Sequence, residues 1–430
     1  MTPFHPKLTR RSALLSAAGF GLSITFLGRR AFAASEAESA KRKLIVIICR
    51  GAMDGLSVAP PVGDPEYAFL RGDIAIPGFG ERGGALKLDD TFGLHPKLAA
   101  VHRMVLAGEA RIAPAIATAD RARSHFEAQD VLESGVIKVY GISSGWLNRA
   151  LETMGATRSI SALSVGAQTP LILRGKIQAG SWSPGGPDLK DVRLPQILAD
   201  LYASDKLLGP ALASGLETQA MGKIAQAAAK EPSIPSPDGG TTMTMTMPTA
   251  PAPNQAQQQQ EQARLLATTL AKFMVADNGP SIAALSLDGF DTHFRQGSSE
   301  GQLAQRLSYL DAVLDGLSKG LGTTWRETVV IVATEFGRTA RRNGTGGTDH
   351  GTASTALLLG GAIKRGGIIG DWPTLGSGKL FENRDTAPTV DMRSLFKGVL
   401  AQHLAVDRRA LDTLVFPDSA TVRSLDGLIA

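Results

Sequence analysis

Five short runs of β-branched and apolar residues recur along this chain, at 43–49, 111–117, 281–287, 328–334 and 355–360. Each reads as a strand buried on both faces, as in a parallel sheet. Helical patterns separate them. Leu303, Leu307, Leu310, Leu314 and Leu317 recur at three- and four-residue spacing and share one helix face. Residues 95–108 and 391–404 read the same way. Strands alternating with helices predict an α/β sandwich built on a largely parallel sheet. In such sheets the ligand lies beyond the carboxyl ends of the strands, so residues just after each run carry the most information.

Those strand ends are rich in acids and histidines. The first run leads into Arg50-Gly51-Ala52-Met53-Asp54-Gly55, where Asp54 is placed to hold a cation. The third leads into Asp288-Gly289-Phe290-Asp291-Thr292-His293. Asp291 and His293 together suit zinc, manganese or similar borderline ions. The fourth leads into Glu335-Phe336-Gly337-Arg338 and then Asn343-Gly344-Thr345-Gly346-Gly347-Thr348-Asp349-His350-Gly351. Asp349 and His350 add ligand types, Arg338 is suited to fork onto a phosphate, sulfate or carboxylate, and the glycines let backbone amides approach an anion. Turns alone account poorly for three such strand ends on one edge.

Two serines invite a nucleophilic reading. Ser124, in Arg123-Ser124-His125-Phe126, opens a predicted helix and is first of all an N-cap. The same position lets the helix dipole and a nearby metal lower the cost of an alkoxide. Gly141-Ile142-Ser143-Ser144-Gly145 fits the nucleophile elbow of a serine esterase, with Ser143 as the minor alternative. No phosphate loop or dinucleotide fingerprint occurs in a usable context.

The N-terminus carries an address. Lys7, Arg10 and Arg11 precede an uncharged stretch from Ser12 to Gly28, and Ala31-Phe32-Ala33 supplies small residues for a signal peptidase. Thr9-Arg10-Arg11-Ser12-Ala13-Leu14 resembles the twin-arginine export motif. The expectation is a signal peptide at 1–33, passage through the twin-arginine machinery in folded form, and a periplasmic mature domain at 34–430. A retained anchor is the alternative. Residues 1–33 hold five of the 45 basic residues and no acid, leaving 40 basic against 40 acidic. A neutral mature chain has no global field to attract nucleic acid or anionic lipid. The single cysteine, Cys49, cannot form an internal disulfide and reads as a buried strand residue. Beyond the signal, no stretch is long and apolar enough to span a membrane. Residues 231–262, with Thr-Met-Thr-Met-Thr-Met at 242–247, read as a flexible surface insertion between two helices. Its methionines are of a type that holds soft copper, but no Cys or His stands beside them.

Taken together, Arg50 to Leu56, Arg123 to Phe126, Gly145 to Arg149, Leu287 to His293, Glu335 to Thr339, Gly347 to Gly351 and Gly370 to Pro373 resemble a bacterial family, domain of unknown function 1501. That family is similar to the alkaline phosphatase and sulfatase superfamily. The resemblance implies a three-layer α/β/α fold, alkaline-phosphatase-like, with a metal site at the carboxyl edge of the sheet. By motif order it implies Asp54 as first acid, Asp291 and His293 as the middle cluster, Glu335 in the acid pair, His350 as the later histidine and Ser124, beside His125, as nucleophile. The superfamily commonly shows Asp-His where this chain has Glu335-Phe336. The expected cofactor is a divalent metal: zinc, manganese, calcium or magnesium. The expected activity is hydrolysis of small phosphate or sulfate esters, with Arg338 and the amides of 344–347 stabilising developing charge. The alternative is a non-catalytic envelope protein binding a ligand or partner on the same fold. Replacing Arg10 and Arg11 together by Lys is expected to leave precursor in the cytoplasm, read by cell fractionation; normal export of that variant overturns the twin-arginine assignment.

Overall fold

The computed structural model describes residues 41–155, 161–166, 169–183, 208–230 and 255–430. The chain divides into Met1–Arg42 and Lys43–Ala430, and the sheet and the site belong to the second unit. The signal peptide expected at 1–33 and the methionine repeat at 242–247 lie outside the described residues. Residues 255–262, read as part of the insertion, open the helix Gln255–Val275.

The strands, in chain order, are β1 (Lys43–Cys49), β2 (Leu86–Lys87), β3 (Gly93–Leu94), β4 (Ala110–Ala117), β5 (Ala162–Val165), β6 (Ala179–Trp182), β7 (Ile282–Leu287), β8 (Thr328–Ala333), β9 (Ser354–Leu359) and β10 (Val390–Asp391). β2 and β3 form a small antiparallel pair. The other eight form one sheet in the order β10-β4-β9-β8-β1-β7-β5-β6. Its pairings are parallel except those of β9, which runs antiparallel to both β4 and β8. The fifth run was expected to follow the parallel pattern and instead reverses it. A parallel return needs a crossover, usually a helix, and the 334–353 connection contains none. The chain therefore turns back beside β8, and the start of β9 lies where its neighbours end.

The alternation of β1 explains the layers. Ile45, Ile47 and Cys49 join one core with Leu303, Leu307, Leu310, Leu314 and Leu317 of the helix Gln302–Leu321. Leu44, Val46 and Ile48 join the other with Trp146, Leu147, Phe396 and Leu400, carried by the helices Trp146–Thr153 and Met392–His403. Helices thus cover both faces of the sheet, giving the three-layer α/β/α arrangement. Full burial of each such aliphatic or aromatic side chain contributes about 2 kcal/mol. Cys49 is buried and free, and burial pushes its thiol well up.

Residues 135–145 form a loop between the helices His125–Ser134 and Trp146–Thr153. No strand feeds Gly141, so the strand–turn–helix geometry that an esterase elbow at Ser143 needs is missing. Among the described residues, no helix is long and apolar enough to cross a membrane.

One buried histidine fastens the loops of the carboxyl edge. His95 Nδ1 accepts from the Lys97 amide at 3.1 Å, and Nε2 donates to Ser298 O at 3.1 Å. Burial pushes its imidazole down to about 4, so the folded state keeps it neutral. Its contribution is complete above the unfolded value of 6.5 and is lost as pH falls toward 4, because the unfolded chain takes up a proton that the folded chain resists. The loss is expected to reach about 3 kcal/mol. Urea denaturation across that window is expected to show a steeper decline for wild type than for His95→Gln.

Candidate metal centre

Loops at the carboxyl edge bring three imidazoles to one point. His125 enters on the first turn of the helix His125–Ser134, which follows β4. His293 follows β7, and His350 precedes the reversed strand β9. His350 Nε2 lies 3.0 Å from His125 Nε2 and 2.9 Å from His293 Nε2. Asp291 joins them, with Oδ1 3.0 Å from His293 Nε2 and 3.3 Å from His350 Nε2, and Oδ2 3.3 Å from His125 Nε2. His125, Asp291 and His350 each offer a ligand atom within 4.8 Å of the others.

The far side of each ring is engaged. His125 Nδ1 meets Glu335 Oε1 at 2.8 Å, His350 Nδ1 meets Arg123 O at 3.0 Å, and His293 Nδ1 lies 3.3 Å from Asp349 Oδ1. Acceptors at Nδ1 fix the proton there and leave Nε2 as a lone pair. Three lone pairs cannot satisfy one another by hydrogen bonding, so the point where they meet is suited to a cation. Glu335 and Asp349, read as metal ligands, thus face Nδ1 atoms and act through the histidines they orient.

The backbone is shaped around this cluster. Glu335 Oε1 also accepts from the amides of Gly51 at 2.8 Å and Ala52 at 3.2 Å. Gly51 has φ +107°, and a Cβ there would lie 2.5 Å from the Asp291 amide nitrogen, so only glycine fits. Ala52 and Arg123 hold left-handed conformations at φ 59° and 58°. Such residues cost about 1–3 kcal/mol each and cluster at functional sites. Arg123 is held by Asp385 Oδ2, at 2.8 and 3.0 Å, which aims its carbonyl at His350. Phe336 packs on the rings of His125 and His350 at 4.9 and 5.1 Å, so it braces two of the three imidazoles.

Charge follows contact. The hydrogen bond to Glu335 raises His125, against the opposing effect of burial. Burial, with the neighbouring His125, lowers His350. Burial disfavours charge on Asp291 and on Glu335, yet both stay below the ordinary carboxylate range. Arg338 outweighs burial for Asp291, and the His125 hydrogen bond with the backbone amides does so for Glu335. The Asn343 hydrogen bond lowers Asp349.

Other candidates are placed differently. Ser124 is the N-cap of its helix, but its hydroxyl makes no capping bond, so among the described residues it is uncommitted beside His125. Arg338 is buried and engaged: Nη1 donates to Asp291 at 2.6 Å, Nε to Thr348 Oγ1 at 3.0 Å and Nη2 to Thr348 O. It positions Asp291 and is not free to fork onto an anion. The amides of Thr345, Gly346 and Gly347 donate to Asn343, so they form a closed turn rather than an anion cradle. Asp54 is buried with Arg71, and its Oδ2 also accepts from Ser57 Oγ at 2.8 Å and Gln296 Nε2 at 2.7 Å. Its other oxygen has no partner among the described residues. Asp54 reaches the centre only through a relay. Gln296 Oε1 accepts from Thr348 Oγ1 at 2.9 Å, and that hydroxyl accepts from Arg338. Arg71, Gln296 and Asp385 had no signal in the sequence, since none lies in a strand-end motif with ligand residues.

The fold and side chains define an α/β protein with a histidine–carboxylate centre at the carboxyl edge of its sheet. The chain belongs to the family described as "Protein of unknown function (DUF1501)", which it matches over residues 41–415. No curated protein matches it. Among solved structures it is similar to the C-terminal periplasmic domain of EcEptC from Escherichia coli, at 9% identity and TM-score 0.33, covering 74% of this chain and 72% of that one. It is also similar to the lipoteichoic acid synthase LtaP from Listeria monocytogenes, at 8% identity and TM-score 0.31, covering 74% and 65%. A third is the alkaline phosphatase of the Antarctic bacterium TAB5, at 13% identity and TM-score 0.30, covering 76% and 93%. Scores of this size leave the functional reading to the chain's own side chains.

Removing Arg71 strands a buried carboxylate. Arg71→Met is expected to lose about 3–5 kcal/mol in urea denaturation, and Asp54→Asn added to it to restore part of the loss.

Proposed function

We propose that this chain is an exported, metal-dependent hydrolase of phosphate or sulfate esters. The observation that carries the reading is the meeting of His125, His293 and His350 through Nε2 beside the Asp291 carboxylate, with each Nδ1 turned to an acceptor. Imidazole nitrogens suit zinc or another first-row ion better than calcium or magnesium, which favour oxygen. A metal bound there would act as a Lewis acid and lower the pKa of a nearby hydroxyl or water. The chain's own groups have separate tasks. Glu335 and Arg123 O hold the tautomers of His125 and His350, Arg338 keeps Asp291 ionised and aimed, and Phe336 fixes two rings. Ser124, the N-cap of a ten-residue helix with no capping bond of its own, is the candidate nucleophile of this reading. The export part of the reading rests on Arg10-Arg11 and the uncharged stretch behind them.

One observation favours the non-catalytic ligand-binding alternative. Of the donors expected to stabilise developing charge, Arg338 and the amides of 344–347, Arg338 and the amides of 345, 346 and 347 are engaged within the protein.

Metal analysis of the purified protein is expected to find roughly one zinc or manganese per chain. Aryl phosphate and aryl sulfate esters then test turnover with each metal. Glu335→Gln is expected to weaken metal affinity about 10–100-fold, and Ser124→Ala to abolish turnover while leaving metal content intact. No bound metal and no turnover, with Ser124→Ala indistinguishable from wild type, overturns the enzyme reading.

A further inference from the structure

A second cavity, of ≈ 550 Å³, opens beside the centre and shares Asp349 with it. Three guanidinium groups, of Arg341, Arg342 and Arg384, line it. Arg341 is exposed and has no carboxylate partner among the described residues; its guanidinium stacks over Phe69 at 5.2 Å. Arg342 makes only a loose contact with the exposed Asp73 at 3.3 Å. Arg384 contacts Asp385 through one nitrogen at 3.2 Å and is 40% exposed. Of the two acids in the wall, Glu66 and Asp349, the latter is held by Asn343 at 3.0 Å. Phe69 is 70% exposed, and Leu375 and Leu380 supply further apolar wall. The contrast with the cavity across the centre, of ≈ 700 Å³, is instructive. There Arg50 is committed to Glu133, Gln129 and Ser286, Arg174 donates its Nε to Thr169 O, and three acids line the wall.

We propose that the Arg341–Arg342–Arg384 cavity is a binding subsite for an oxyanion: a second, non-reacting sulfate, phosphate or carboxylate on the ligand, carried on a body with an apolar face that covers Phe69. The planar fork of a guanidinium matches such groups bidentately. A large exposed aromatic beside them offers a stacking surface to the body that carries the charge. The proposal deepens the reading of the centre as a site for anionic esters, and rests on it. It narrows the substrate class to esters bearing a further acidic group, bound across the wall that Asp349 shares.

The test uses sodium sulfate as probe, titrated calorimetrically at low salt into the purified full-length protein and into His350→Ala. The variant removes the nitrogen on which the other imidazoles converge and so separates the cavity from the centre. Saturable sulfate binding is expected in both, weakened by added sodium chloride. Arg341→Gln with Arg384→Gln is expected to lower affinity at least about tenfold. Arg295→Gln, whose side chain stacks on Phe294 and is not in the cavity wall, is expected to leave it unchanged. Arg341→Gln alone removes only a surface stack, so it gives the answer should the double variant fail to fold. No saturable binding, binding abolished by His350→Ala, or an unchanged affinity without the arginines each overturns the subsite. Turnover of aryl phosphate and sulfate esters, with and without a further carboxylate on the ring, is read separately: sulfate binding without turnover of either kind keeps the subsite and removes the hydrolase, and turnover without sulfate binding does the reverse.

Discussion

One carboxylate oxygen, Glu335 Oε1, holds the carboxyl edge together. It takes the Gly51 and Ala52 amides at the exit of β1 and the His125 imidazole at the start of a helix, while sitting at the exit of β8. A buried acid of this kind is tolerated only when donors surround it, and here two segments distant in sequence supply them. Thr334 reinforces the same junction, donating to Cys49 O at 2.6 Å and accepting from the Met53 amide at 3.0 Å. The left-handed Ala52 and the crowded Gly51 are consequences: the chain bends sharply there so that two consecutive amides can point at one oxygen.

From that junction the polar network runs in two directions. Toward solvent it becomes the imidazole cluster, where charge is balanced between Asp291, Arg338 and the histidines. Toward the interior it becomes the relay of Thr348, Gln296, Asp54 and Arg71, closed off from water. The two halves differ in kind. The outer half turns lone pairs toward an open point, and the inner half is closed by hydrogen bonds that leave Asp54 Oδ1 and Arg71 Nε without partners among the described residues. An arrangement of this sort keeps ligand atoms rigid without taking their free lone pairs, which is what a preorganised centre requires.

Much of this was legible in the sequence. The strand runs and the leucine face of 303–317 gave the layers, because burial on both sides of a sheet leaves a period that survives in one dimension. The strand-end acids and histidines pointed to the edge. Direction did not survive: the run at 354–359 has the same apolar character whether it runs parallel or antiparallel, and only the helix-free connection before it hinted at reversal. Nor did the division of labour among acids. Asp54, Asp291, Glu335 and Asp349 are alike as letters, yet one is sealed against Arg71, one faces Nε2 atoms and two face Nδ1 atoms. Arg338 illustrates the same limit, since a fork suited to an outside anion is equally suited to a carboxylate of its own chain.

The reversal of β9 has a bearing on how the molecule comes into being. His125, Asp291 and His350 are separated by more than half the chain, and the last of them is delivered only by the segment that leads into the reversed strand. A nascent chain that has laid down β1, β4 and β7 has two of the three groups and no enclosing loop. Capture of the proposed ion would therefore wait for β9 to return to the sheet, well after β1, β4 and β7 are in place.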